Sequence, residues 1–191
     1  MPTGFWGSHT PGGGLAPVRP VGIMGRRMNV VLLEPEIPPN TGNVARLCAA
    51  TRSVLHLIEP FGFKLDDAAL KRAGMDYWRH VDWKRWPDWQ TFRTQLPAGA
   101  RLWLVESDGP KCYSTADFRP DDYIIFGRET AGLPKVLLEE NRDRWLRIPM
   151  FNPSARSLNL SNCVALVLFE ALRQQGFAGE LPGFTEPLPP A

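Results

Sequence analysis

Cysteine and histidine are both scarce in this chain. Three of each occur among 191 residues, and Cys48, Cys112 and Cys163 lie far apart in no C-x-x-C spacing. A sparse, odd count argues against a secreted disulfide scaffold and for a reducing, cytoplasmic setting. His9, His56 and His80 are too scattered to ligate a structural zinc, so no metal is expected. Long apolar runs are missing too. The longest strongly apolar one, Val164 to Phe169, is six residues, where a membrane helix needs about 20; no membrane partner is expected. Acid is absent from residues 1–27, which hold Arg19, Arg26 and Arg27. The other 164 residues then carry 19 cations against 20 acids, so the formal charge of +2 belongs to the terminus and does not by itself indicate nucleic acid.

What is present fits one globular domain with short appendages: 43% apolar and 22% charged residues. Residues 1–27, with seven Gly and four Pro and no apolar period, read as a disordered extension, or as the result of an upstream start with Met28 opening the domain. The domain is expected over 28–177, followed by a flexible Pro-rich tail, 178–191.

Short apolar runs at 30–33, 54–58, 101–105, 123–126 and 145–148 read as strands. Val44, Leu47, Cys48 and Thr51 recur with a helical period that starts just after Asn40-Thr41-Gly42. Further helices are expected from Asp66-Asp67 to Arg72, across Trp89, Phe92 and Leu96, from Leu133 to Glu140, and from Val164 to Leu172. Strands without clean alternation, separated by helical patterns, predict an α/β, Rossmann-like fold with a parallel sheet covered on both faces. Ligands of such folds sit beyond the carboxyl ends of strands.

Three loops there are unusually polar. In the first, Asn40, Thr41 and Asn43 crowd a helix start and Arg46 follows within the first turns, suited to an anion; a capped helix with a solvated arginine reads equally well. Glu34 and Glu36 nearby read as solvated. In the second, Gly127 directly after a strand permits close backbone approach of a ligand. The G-x-x-x-x-G spacing to Gly132 lacks the Lys-Ser/Thr of a P-loop, and Arg128 beside Glu129 reads as a local ion pair. The third runs from Ile148-Pro149-Met150 to Ser157-Leu158-Asn159-Leu160-Ser161-Asn162, with more polarity than one helix cap requires. Tyr77, Trp78, Arg79, His80, Trp83, Lys84, Arg85, Trp86 and Trp89 interleave aromatics with cations; they suit base stacking, or a short strand and helix start with inward rings. Cys48, Cys163 and His56 read as core residues.

Together the three loops resemble the SPOUT superfamily of RNA methyltransferases. Asn40-x-Gly42-x-x-x-Arg46 is similar to its first motif, Gly127-x-Glu129-x-x-Gly132-Leu133-Pro134 to its second, and Ile148-Pro149-Met150 with Ser157 to Asn162 to its third. The strings EPEIPPNTGN, IEPFGF and KRAGMDYW add likeness to the small group that methylates the ribose of the tRNA wobble nucleotide. The stretch between Met150 and Ser157 is one residue longer than that likeness leads one to expect.

The resemblance implies a C-terminal trefoil knot, a homodimer and S-adenosyl-L-methionine as methyl donor. It further implies cofactor contacts at Val105, Gly127, Ile148 and Ser157, and a catalytic set of Arg46, Asn40, Glu129 and Asn159, with Arg46 near the partner's cofactor site. The implied activity is methylation of the wobble ribose 2′-hydroxyl (cytidine or modified uridine) in the anticodon loop of tRNA. Arg26, Arg27, Arg79, Lys84, Arg85 and Arg156 are candidate phosphate contacts. Methylation elsewhere in tRNA or rRNA, or a non-catalytic RNA-binding role, are the alternatives.

Overall fold

The computed structural model describes residues 27–64, Trp78 and 80–181. The expected helix at 66–72, the string KRAGMDYW apart from Trp78, the extension before Arg27 and the tail after Leu181 lie outside the described residues, as do Arg26 and Arg79. The described residues form seven strands: β1 (Asn29–Leu33), β2 (Val54–Ile58), β3 (Asp82–Trp86), β4 (Leu102–Val105), β5 (Lys111–Cys112), β6 (Tyr123–Phe126) and β7 (Trp145–Arg147). They form one sheet in the order β3-β2-β1-β6-β4-β7-β5, parallel throughout.

Among the described residues four helices cover it: α1 (Pro38–Thr51), α2 (Trp89–Thr94), α3 (Lys135–Glu140) and α4 (Leu160–Gln174). Alternate residues of β1 divide between two cores. Val30 and Leu32 pack with Val44 and Cys48 of α1 and with Val164 and Leu168 of α4. Val31 and Leu33 face the other way, onto Phe92 of α2 and Leu137 and Leu138 of α3. Burial on both faces is why β1 and β2 are apolar without alternation and completely buried.

Two strands lie outside the five apolar runs, and the first is the short strand offered as an alternative for the aromatic-basic stretch. β3 is a mostly exposed edge strand with the sequence DWKRW, its charges blunting the edge. β5 has two residues, too few for a pattern. The described tryptophans of the aromatic-basic stretch take the inward-packing alternative. Trp83 packs at a tilt against Trp78 with ring centroids 4.8 Å apart, and Trp86 packs on Phe92 and His56. His56 is the core residue expected: its Nε2 donates to Asn29 Oδ1 at 3.1 Å while Nδ1 accepts from Trp86 Nε1 at 3.1 Å, and burial lowers its pKa to about 4.

Helix α1 begins five residues earlier than its apolar period indicates. Pro38 and Pro39 occupy its first turn, where a missing N–H costs nothing. Asn40 and Thr41 thus lie buried inside the helix and do not cap it.

Candidate active site

Because β1, β6, β4 and β7 are neighbours in the sheet, the loops that leave their carboxyl ends converge. Between them lies a cavity of about 500 Å³, a size that suits a small-molecule ligand. Val105, Phe126, Ile148 and Leu160 give it apolar walls, while Asn40, Glu106, Glu129, Ser157 and Asn159 bring polar groups. The four expected cofactor positions Val105, Gly127, Ile148 and Ser157 all line it, as do Asn40, Glu129 and Asn159. Arg46 does not: it is exposed on α1, outside the lining of this subunit's cavity.

A chain of side-chain contacts crosses all three loops. Glu129 Oε1 accepts from Asn40 Nδ2 at 3.0 Å, and Asn40 Oδ1 accepts from Asn159 Nδ2 at 2.9 Å. Asn159 in turn caps α4, its Oδ1 accepting from Ser161 N at 2.9 Å. One residue therefore begins a helix and reaches the cavity, which accounts for polarity beyond the needs of a cap. Glu129 also accepts the main-chain N–H groups of Glu36 and Ile37, at 2.8 and 3.3 Å. It stands at the N-terminus of α1, whose own N-cap, Ile37, offers no side-chain acceptor.

The second loop closes tightly on itself. Arg128 and Gly132 exchange main-chain hydrogen bonds, so a Cβ on Gly127 would collide with the backbone of Gly132 and Leu133. Gly132 has a φ of +66°, a conformation glycine adopts at little cost.

Two readings of the local sequence are corrected by this geometry and a third gains a detail. Arg128 and Glu129 do not pair with each other; Arg128 pairs with Glu34, and Glu129 turns to α1. Glu34 and Glu36 are not simply solvated, since Glu36 accepts from Thr130 N at 2.9 Å. Cys163 is half-buried, packing against the core as expected while also lining the cavity, its thiol pushed up to about 11 by burial and by nearby Glu106. Cys48 is wholly buried, as expected.

Glu106 is the site residue that loop motifs did not reveal. It follows β4 directly, and its carboxylate accepts from Leu133 N at 2.9 Å and Ser107 N at 3.0 Å. An acid at the carboxyl end of a buried strand was the available signal.

The charged groups of the lining suit a cation better than a polyphosphate. Glu106 and Glu129 are its acids, and its one cation, Arg128, is engaged by Glu34. S-adenosylmethionine, with its sulfonium and ammonium charges, apolar-walled adenine and small hydroxyls, fits such a lining. Among the described residues no group of three His, Cys, Asp or Glu side chains is placed to hold a metal, and no helix is long and apolar enough to cross a membrane.

Comparison with known proteins agrees with this geometry. Residues 27–169 match the SpoU rRNA Methylase family. A tRNA (cytidine(34)-2′-O)-methyltransferase of Burkholderia ambifaria is 51% identical over 154 residues, covering 79% of this chain and 97% of that protein. The enzyme of the same name from Saccharophagus degradans is 49% identical, covering 79% and 97%. Among solved structures, one described for the 2-OH methylation of C/U34 on tRNA is 44% identical, with a TM-score of 0.75, covering 80% of this chain and 98% of its own. An AdoMet-bound rRNA methyltransferase from Sinorhizobium meliloti superposes with a TM-score of 0.67 at 27% identity, covering 77% and 56%. The matched span takes in every element from β1 to most of α4, with all three polar loops: the chain belongs to the SpoU methylase family.

Proposed function

We propose that the protein transfers a methyl group from S-adenosyl-L-methionine to the ribose 2′-hydroxyl of the tRNA wobble nucleotide, cytidine or uridine at position 34. The observation that carries this reading is the Glu129–Asn40–Asn159 chain, which joins three separate loops at the wall of one cavity. The relatives whose names specify cytidine 34 cover nearly their whole length with this chain.

The donor supplies an activated methyl on a sulfonium, a good leaving group, so the chain's own work is positioning and charge stabilisation. Main-chain groups at Val105, Gly127 and Ile148, with Ser157, would hold the adenosine part, and the tight 127–132 turn keeps that wall fixed. Asn40, Glu129 and Asn159 would orient the acceptor side. Arg46 holds the wobble phosphate and 2′-oxygen and stabilises the negative charge that grows there. A guanidinium keeps its proton at neutral pH, so Arg46 acts as a donor and not as a base.

Arg46 lies outside its own subunit's lining, and a dimer would bring it to the partner's cavity. Exposed apolar residues support self-association. Ile37 and Leu158 flank the cavity, and Leu166 and Phe169, 42% and 47% exposed, share an outer face of α4. RNA phosphates would meet the exposed cations Lys84 and Arg156, with Arg27 and Arg85 already partnered by Asp82 and Glu59. The cytoplasm is the expected compartment for such an enzyme.

Incubation with methyl-labelled S-adenosylmethionine and total tRNA tests the proposal. Label should enter tRNA and survive base removal, as a ribose methyl does. Binding of the donor with no incorporation would leave a non-catalytic RNA-binding role.

A further inference from the structure

The turn after β1 and the turn after β6 hold each other by crossed carboxylates. From one side, Glu129 accepts the main-chain N–H of Glu36 at 2.8 Å and of Ile37 at 3.3 Å. From the other, Glu36 accepts the main-chain N–H of Thr130 at 2.9 Å, and the Thr130 hydroxyl donates to the same carboxylate at 2.8 and 2.9 Å. Behind Glu36, the Pro35 carbonyl accepts from Gly62 N at 3.0 Å. Gly62 approaches so closely that a Cβ there would stand 2.8 Å from Glu36 Cα. Glu36 is thus pinned between the 59–62 turn and the cavity wall.

The consequence lies in what α1 lacks. With Ile37 as N-cap, the helix has no side-chain acceptor of its own for the main-chain N–H groups that lead into it. The second loop, which is also the cavity wall, supplies the acceptors instead. Any ligand that shifts or stiffens residues 129–132 therefore acts on the start of α1, on Asn40, and on Arg46, about 9 Å further along the helix axis at roughly 1.5 Å per residue.

We infer that Glu36 is a positioning residue which, with Glu129 and Thr130, couples occupancy of the cofactor cavity to the placement of Asn40 and Arg46. This rests on the functional reading above. Nothing in the local sequence announces it, since Glu36 and Thr130 are 94 residues apart.

The test combines E36Q, T130V and their double variant, in the full chain, with two readouts. In single turnover at saturating donor and tRNA, each single variant should lose about tenfold or more in rate, as small misplacements near a reacting centre do. The affinity for S-adenosylmethionine by calorimetry should stay within about threefold. The double variant should be no worse than the poorer single one, because both remove one device. T130S, which keeps the hydroxyl, should recover the rate lost in T130V. In the second readout, donor binding should slow amide exchange over residues 36–44 in the wild-type protein and fail to do so in E36Q.

A normal rate in E36Q, a loss matched by equally weakened donor binding, additive effects, or equal exchange protection in E36Q would each overturn the coupling. Should E36Q not fold, T130V carries both readouts. If the wild-type protein binds donor yet methylates no tRNA, the functional reading fails, while the exchange readout still decides the coupling.

Discussion

Asn159 reaches across 119 residues of sequence to place its Nδ2 2.9 Å from Asn40 Oδ1. The same side chain caps α4 through Ser161, and these two duties can be separated. N159D keeps an acceptor for the cap but sets a carboxylate against Asn40 Oδ1. It should melt close to the wild-type temperature while losing at least tenfold in methyl transfer rate. N159A should lose both, with about 1 kcal/mol of stability gone with the cap. Thermal melts and single-turnover rates on the two variants check this.

Gly127→Ala is expected to be severe. Its Cβ would meet main-chain atoms of Gly132 and Leu133, which cannot swing aside as a flexible side chain could. Opening the turn costs on the order of 1–3 kcal/mol and dislodges the wall that would receive the donor. Calorimetry should show S-adenosylmethionine affinity reduced by more than tenfold.

Arg46→Ala should abolish turnover with donor affinity nearly unchanged, because Arg46 would act on the acceptor phosphate and 2′-oxygen and not on the donor. Mixed dimers of R46A with G127A follow from the proposed assembly. At a donor concentration too low to fill the G127A site, one of the two sites in each mixed dimer should pair an intact Gly127 with an intact Arg46 from the other subunit, restoring part of the activity that both variants lack under that condition. No recovery on mixing would place Arg46 with its own subunit's cavity.

Stability should fall as the solution is acidified from pH 7 to pH 5. His56 is neutral and fully engaged in the fold, with its pKa lowered from 6.5 to about 4. A depressed folded-state value means that its contribution is complete above 6.5 and is lost as pH drops towards 4. The loss over this interval is on the order of 2 kcal/mol. Lys84 pushes the value down and Asp82 pushes it up, both less than burial does. Denaturant titrations at the two pH values should show the decrease, and His56→Gln should remove most of it while lowering stability at pH 7.

The strands that hold this site were readable because they are buried on both faces, which forces plain apolar runs such as Val30 to Leu33 and Tyr123 to Phe126. The order of the strands was not, because pairing of β1 with β6 depends on contacts over 90 residues away. Asn40 and Asn159 stood out as polar residues at helix starts, whereas Glu129 read locally as the partner of Arg128 and entered the site only through the family resemblance. Their actual partners could not be read locally: Glu129 has Arg128 beside it in sequence yet bonds to Glu36, Ile37 and Asn40. The start of α1 was misplaced for a related reason. An apolar period reports only the buried face, and the first turn is prolines and polar residues held by another loop.

The most direct measurement of the central claim is a map of ribose methylation at position 34 in tRNA from cells lacking this gene, compared with the parent strain and with the deleted strain carrying R46A. Loss of the 2′-O-methyl mark at that nucleotide, restored by the wild-type gene and not by R46A, is the predicted result. An unchanged mark at position 34, or a mark lost only at another nucleotide, would contradict the account.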